Sequence, residues 1–420
     1  MTAPSWVERY TTVISELGTA AERLPLTLCG LGTCVDIYVR LAKASALFEP
    51  DIPKEAMVLA AELMRRTERG AGGEYRIIWP KAESWILENL PILGWALGGT
   101  GAQVAQALAL LGGTALISLE DRSAKQLSVI HPDILIADAS GLRRCGDLAP
   151  HSASKPPHCI FEVTAGERVG PKVAQRSTRT IVRFLDEHLD RDPDFARESI
   201  RLADRATSAV ICGFNELADQ YLDEELTNSC HLLSEWRRRG ISLIHLELGG
   251  YENAVARDQV FSTLGPFITS LGMSHSELRE FGSEDEIEQA SKLRAKFDLD
   301  RVCIHADEWA LSVTRNDPEN ELKSLISGSL LAACRAERGQ TCVPARIPPL
   351  AEFLAPPWPA ITQDGNISIV CCATPHLKHP TATIGLGDTF LAGTLLILGN
   401  TNRSLSPSRL RQGYGGQACH

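Results

Sequence analysis

The run Thr383-Ile384-Gly385-Leu386-Gly387-Asp388-Thr389, which leads into the apolar segment from Phe390 to Leu398, combines residue types that phosphoryl transfer needs. Two glycines let backbone approach an anion closely, and the amides after them open a predicted helix whose positive N-terminus favours phosphate. Asp388 follows at once, where a carboxylate can take the proton from an attacking hydroxyl. The same residues also suit a plain glycine turn with Asp388 as the helix N-cap. Which reading holds depends on what other elements bring to this loop.

Two carboxylates stand at predicted strand ends in the same half of the chain: Glu247 in His245-Leu246-Glu247, and Glu277 in Ser274-His275-Ser276-Glu277. Magnesium is held by one or two carboxylates, water and substrate phosphates, so this pair suffices for it, although each also suits a helix N-terminal charge. In a parallel sheet the carboxyl ends of the strands share one edge, which places Glu247, Glu277 and Asp388 along one crevice. Asp36, beyond the predicted strand Leu26-Thr27-Leu28-Cys29-Gly30, is either a ligand group at that edge or a solvated loop carboxylate. Leu97-Gly98-Gly99-Thr100 starts a second helix through glycine. His158, His245 and His305 occupy strand positions without the spacing of zinc ligands, so no zinc is assigned. Arg176 and Arg179, three apart, suit a basic helical face as well as an anion contact.

The elements that must position these groups alternate. A first helix from Trp6 to Leu24 precedes strands near Leu26–Gly30, Thr114–Ser118, His158–Val163, Ser208–Gly213, Ile241–Leu248, Arg301–His305 and Ser368–Cys372, with helices between them. This order predicts an α/β protein with a mainly parallel sheet. The Ser-, His- and Pro-rich stretch from Leu142 to Pro157 reads as a surface loop, and the polar, glycine-rich tail 401–420 as disordered. At 420 residues the chain exceeds one usual core. A formal charge of −10 disfavours nucleic acid or an anionic membrane as partner and points to small molecules. The start has no signal-peptide pattern, and no apolar run reaches the roughly 18 residues of a membrane span. The twelve cysteines are scattered, many in apolar runs, and read as core thiols of a cytoplasmic protein.

Ile244-His245-Leu246-Glu247-Leu248, Ser270-Leu271-Gly272-Met273 with Glu277-Leu278, and the Gly385-Leu386-Gly387-Asp388 loop occur in an order that resembles the ADP-dependent glucokinase and phosphofructokinase family, a branch of the ribokinase-like kinases. The likeness runs from about Leu26 to Leu398 and takes in the Gly98-Gly99 pair, Arg176-Ser177-Thr178-Arg179, Gly213-Phe214-Asn215 and His305. It implies one kinase domain over 1–400: a three-layer αβα core (about 25–36, 98–150 and 181–400) and a smaller lid (about 37–97 and 151–180). It further implies transfer of the β-phosphate of Mg-ADP to a hydroxyl of glucose, fructose 6-phosphate or a related sugar, releasing AMP. Asp388 is then the base, with Gly385 and Gly387 holding the migrating phosphoryl group and Glu247 and Glu277 organising Mg²⁺ through water. Asp36, Gly98, Gly99 and Arg179 fall to substrate binding, with Asp36 gripping sugar hydroxyls and Arg179 neutralising phosphate from the lid side, and His305 and Ile384 to the nucleotide. Gly32, Cys34 and Ser274 stand where the family usually has asparagine, and Thr100 where it has Asn or Gln. An ATP-dependent ribokinase-like kinase and a binding protein without turnover are the alternatives.

Overall fold

The computed structural model describes residues 4–401 except 152, 252, 283 and 284. The tail expected to be disordered lies, from residue 402, outside the described residues.

Short, apolar, β-rich runs assemble into an eleven-stranded sheet. Its centre is parallel: Arg301–His305, Ser270–Ser274, Leu243–Glu247, Ala206–Ile211, Leu26–Cys29, Ala115–Ile117 and Leu135–Asp138 lie side by side in that order. Antiparallel strands extend both edges, among them Trp309–Thr314 and Ile367–Ala373 on one side and Gly141–Arg144 on the other. The alternation of side chains along each strand feeds two cores. Cys29 and Val210 pack with helices Trp6–Arg23, Thr100–Leu110, Pro318–Arg338 and Leu386–Thr401. Leu28, Ala209 and Ile211 pack on the opposite face with helices Pro193–Arg201, Asp219–Arg238, Ala254–Leu264 and Glu286–Lys296. This is the expected three-layer αβα core.

A second sheet of five strands runs Gly73–Arg76, Thr178–Arg183, His158–Val163, Cys34–Arg40, Ile92–Gly98 in spatial order. One face is apolar: Ile37, Val39, Cys159, Phe161 and Val182 bury against helices Lys54–Arg69 and Ala82–Asn89. The period of two then sends Cys34, Asp36, His158, Arg179, Arg183 and Glu74 to the other face. The cuts expected at 36/37 and 180/181 pass through strands Cys34–Arg40 and Thr178–Arg183, since both pair within this smaller sheet on each side of the cut.

Two other expectations need correction. The stretch from 142 is not all loop: Gly141–Arg144 pairs with Leu135–Asp138 as an edge hairpin, and a 3₁₀ turn, Cys145–Asp147, follows. Arg179 is on a strand, not a helical face, because Thr178–Arg183 is held between two partner strands. The eleven described cysteines are all free, and Cys29, Cys159, Cys212, Cys303, Cys371 and Cys372 are buried as expected. Among the described residues no helix is long and apolar enough to cross a membrane.

Candidate active site

The loop before helix Leu386–Thr401 turns at Gly385, whose φ of +68° lies in the left-handed region that glycine adopts without strain. Thr389 is the residue whose amide closes the turn onto the Gly385 carbonyl, at 3.0 Å, so the amides before it are the N-terminal donors that a helix leaves without acceptors of its own. The helix is seated by close contact with Pro318–Arg338: Gly393 and Gly328 meet backbone to backbone, and a Cβ on either would overlap the other helix.

Arg335 lies directly under this turn. Its guanidinium presses against Gly385 and donates to Gln103 Oε1 (2.9 Å), Thr341 Oγ1 (3.0 Å) and Thr389 Oγ1 (3.1 Å) while only 7% exposed. Burial raises the Asp388 carboxyl above its ordinary value, the Arg335 charge and a hydrogen bond from Thr100 pull it partly back, and Glu247 adds to the rise. Gly385→Ala is therefore expected to destabilise the fold by at least ~1–2 kcal/mol, the cost of the left-handed conformation, with the Arg335 collision added. Thermal unfolding measures it, and an unchanged melting temperature would refute this account of the turn.

Along the parallel edge a buried relay reaches the same place. Glu321 accepts from Arg301 Nε (2.6 Å), Arg301 donates to Ser270 Oγ (3.3 Å), Ser270 faces His245 Nδ1 (2.8 Å), and His245 Nε2 faces Glu247 Oε2 (2.8 Å). Burial keeps His245 below its usual pKa, so the neutral ring accepts from Ser270 and donates to Glu247. His305 Nε2 lies 3.4 Å from the other Glu247 oxygen. Burial alone would raise Glu247, yet the His245 and His305 hydrogen bonds overcome it and hold the carboxylate at about 2. Glu277 closes a capping box, accepting from the Ser274 amide at 2.6 Å while Ser274 Oγ accepts from the Glu277 amide. Burial raises Glu277, and the neighbouring Glu247 charge raises it further. Two carboxylates of unequal basicity thus share one edge with His305, which also sits beneath Gly387.

The polar face of the smaller sheet looks toward this edge. Arg179 crosses from it to the Thr383 carbonyl at 2.5 Å. Asp36 neighbours Ala96 and His158 in register, and Gly98, opposite Cys34, leaves room that a Cβ would fill against Asp36 and Cys34. Burial pushes Asp36 to about 6, with His158 opposing and Glu216 and Asp388 adding to the rise. His158 Nε2 meets Glu187 Oε1 at 2.9 Å, Arg183 meets Glu74 at 3.0 Å and donates to the Glu216 carbonyl, and Asn215 donates to Glu74 at 2.9 Å. Burial and the Glu216 charge raise Glu74 to about 7.

A conserved region described as ADP-specific Phosphofructokinase/Glucokinase matches residues 26–397. The chain belongs to this family. It is similar to the ADP-specific phosphofructokinase of Thermococcus litoralis, 26% identical over 278 residues that cover 56% of this chain and 61% of the relative. Its counterpart from Pyrococcus furiosus is 23% identical over 284 residues, covering 56% and 62%. The chain thus matches under two thirds of these relatives' length. The fold is similar to that of an ADP-dependent kinase in complex with fructose-6-phosphate and ADPβS, with TM-score 0.77 and 16% identity over 96% of this chain and all of that one. A hypothetical ADP-dependent phosphofructokinase from Pyrococcus horikoshii OT3 has TM-score 0.72 and 18% identity over 90% and 98%.

Within this family fold, Asp388, Gly385, Gly387, Glu247, Glu277 and His305 converge at one edge, and Arg179 reaches the loop from the smaller sheet. Asp36 and Gly98 meet on the facing sheet, and Gly99, at φ +88°, packs on the Gly32 carbonyl. Ile384 is buried at the foot of the loop. Asp36 is a strand residue of the smaller sheet rather than one just past a core strand, because the chain leaves the core after Cys29 and pairs again from Cys34. Arg335 was not legible in the sequence: it lies late in an amphipathic helix, and nothing in its neighbours separates it from Arg338, the helix's other arginine. Glu74, Glu187 and Glu216 likewise carry no local motif.

Proposed function

We propose that this chain is an ADP-dependent sugar kinase: it transfers the β-phosphate of ADP to a sugar hydroxyl and releases AMP. The observation that carries the reading is Asp388, half-buried, raised in basicity, and set at a helix N-terminus against Arg335 and Thr100. In that position a carboxylate takes the acceptor proton while the amides around Gly385 and Gly387 receive the transferring phosphoryl group. Arg179, donated by the facing sheet, would add positive charge as the two sheets close and exclude water.

The residues fit a hydrated Mg²⁺. Glu247 is held ionised at about 2 and its charge adds to the rise that burial imposes on neighbouring Glu277, which suits two carboxylates acting through water. When bound there, the ion would neutralise charge on the nucleotide phosphates. His245 and His305 orient Glu247, and the Ser274 amide orients Glu277.

Asp36 would grip acceptor hydroxyls. Local charge favours an unphosphorylated sugar such as glucose over fructose 6-phosphate: Asp36, Glu74, Glu187 and Glu216 gather there, Arg183 is already paired with Glu74, and Lys155 is paired with Glu120 and Asp190. The test is AMP formation from Mg-ADP with glucose, fructose 6-phosphate and a panel of other sugars, with ATP as parallel donor. AMP released only with sugar, and faster with glucose, is the expected result. Turnover with ATP alone would move the protein to the broader ribokinase-like group, and silence with both donors would make it a binding protein. A cytoplasmic setting, where ADP and sugars meet, belongs to the same proposal.

A further inference from the structure

Three side chains at the floor of the facing sheet have donor types and separations that sugar binding does not require. Cys34 Sγ lies 3.4 Å from His158 Nδ1 and 3.6 Å from Asp36 Oδ1, and His158 Nδ1 lies 3.9 Å from Asp36 Oδ1. The fold builds this from regularity: Cys34 and Asp36, two apart on one strand, share a face, and His158 is the in-register neighbour of Asp36. A tetrahedral zinc with Zn–S of about 2.3 Å and Zn–N or Zn–O of about 2.0–2.1 Å spaces its ligands by about 3.3–3.6 Å. The two edges to sulfur match, and the nitrogen–oxygen edge, which bonds of about 2.0–2.1 Å would set at about 3.3–3.4 Å, is wider by about half an ångström.

Two further features belong to metal sites rather than to a chance cluster. Glu187 meets His158 Nε2 at 2.9 Å and 3.1 Å to its two oxygens, so Nε2 is engaged as donor to the carboxylate and Nδ1, which faces Cys34, is the nitrogen a metal would take. A carboxylate behind a histidine in this way fixes its tautomer and raises its basicity as a ligand. Gly98, paired with Cys34 across the strands, keeps the floor bare where any side chain would overlap the sulfur and the carboxylate.

We infer that Cys34, Asp36 and His158 form a three-ligand site for a soft divalent cation, zinc by its donor set, with the fourth position open to the cleft. Binding forms a sulfur–metal bond and releases the Cys34 thiol proton to solvent. The site is separate from Glu247 and Glu277, whose all-oxygen pair suits a hard ion. The metal would cover Asp36, so it stands as a regulator of the acceptor end and needs no turnover to be detected.

Cobalt(II) titration of the chelator-treated full chain tests it. One equivalent is expected to give a thiolate-to-cobalt charge-transfer band with four-coordinate d–d bands, displaced by zinc. Cys34→Ser should lose the charge-transfer band, Glu187→Gln should keep it with about 10–100-fold weaker binding, and Cys342→Ser, at the other partly exposed described cysteine, should be unchanged. If Cys34→Ser fails to fold, His158→Gln replaces it, with loss of the four-coordinate spectrum as the expected result. No charge-transfer band in the wild type, or the same band in Cys34→Ser, would overturn the site and leave a hydrogen-bonded Cys34–His158–Glu187 brace. Either result stands apart from the kinase assay, because no sugar or nucleotide is present.

Discussion

Asp388→Asn is expected to lower kcat by roughly 10²–10⁴-fold, the usual contribution of a positioned general base, with nucleotide affinity little changed. Asn is isosteric, can still accept from Thr100, and leaves the Gly385 turn and Arg335 in place, so what disappears is the ability to receive a proton. The wild-type profile has a matching signature. Because burial raises the folded carboxyl above its ordinary value, kcat should fall as pH falls through that raised value, beginning at a higher pH than for an exposed aspartate. The variant should lack this acid limb in its residual rate. Steady-state rates at saturating acceptor from acid to neutral pH, with nucleotide affinity measured separately, decide it. A variant within about three-fold of wild type would remove Asp388 from the proton-transfer step. Equal loss of nucleotide binding and rate would instead mean that its charge only holds the loop.

The groups whose placement was legible in the sequence are those in which unusual residue types fall at a fixed short spacing. Gly385, Gly387 and Asp388 announce themselves because a left-handed turn, a close approach and a helix N-terminal carboxylate fall within four residues. Glu247 and Glu277 were legible through strand periodicity, since a parallel sheet sends strand ends to one edge. Arg335 acts from a helix more than 40 residues away, and the turn that selects it exists only after helices Pro318–Arg338 and Leu386–Thr401 have packed. The same limit hid the Cys34–His158 contact. The two residues are 124 apart in the chain and meet only through strand pairing, so local ligand spacing gave no reason to join them. Domain cuts erred for a related reason: Asp36 and Arg179 look like parts of a loop and a basic run, yet both are strand residues of the smaller sheet.

Arg301→Leu tests whether the buried relay behind Glu247 supports both fold and site. Arg301 and Glu321 have side chains 1% and 0% exposed and meet at 2.6 Å. Removing the arginine leaves an uncompensated buried carboxylate, for which about 3–5 kcal/mol of destabilisation is expected in denaturant unfolding. Arg301→Leu with Glu321→Leu should regain most of that, since two apolar side chains need no partner. The double variant still lacks the donor at 3.3 Å from Ser270 Oγ, which helps to hold the hydroxyl toward His245 Nδ1. With Ser270 freed, His245 is less firmly fixed as the donor to Glu247, and the carboxylate should rise from about 2. A more basic Glu247 is protonated over more of the acid range, so the double variant should need more Mg²⁺ for half-maximal rate as pH falls while keeping near-normal stability. A double variant as unstable as the single one would show that Arg301 acts through packing rather than charge. Restored stability with an unchanged Mg²⁺ requirement at every pH would confine Arg301 and Glu321 to folding and show that His245 holds Glu247 without them.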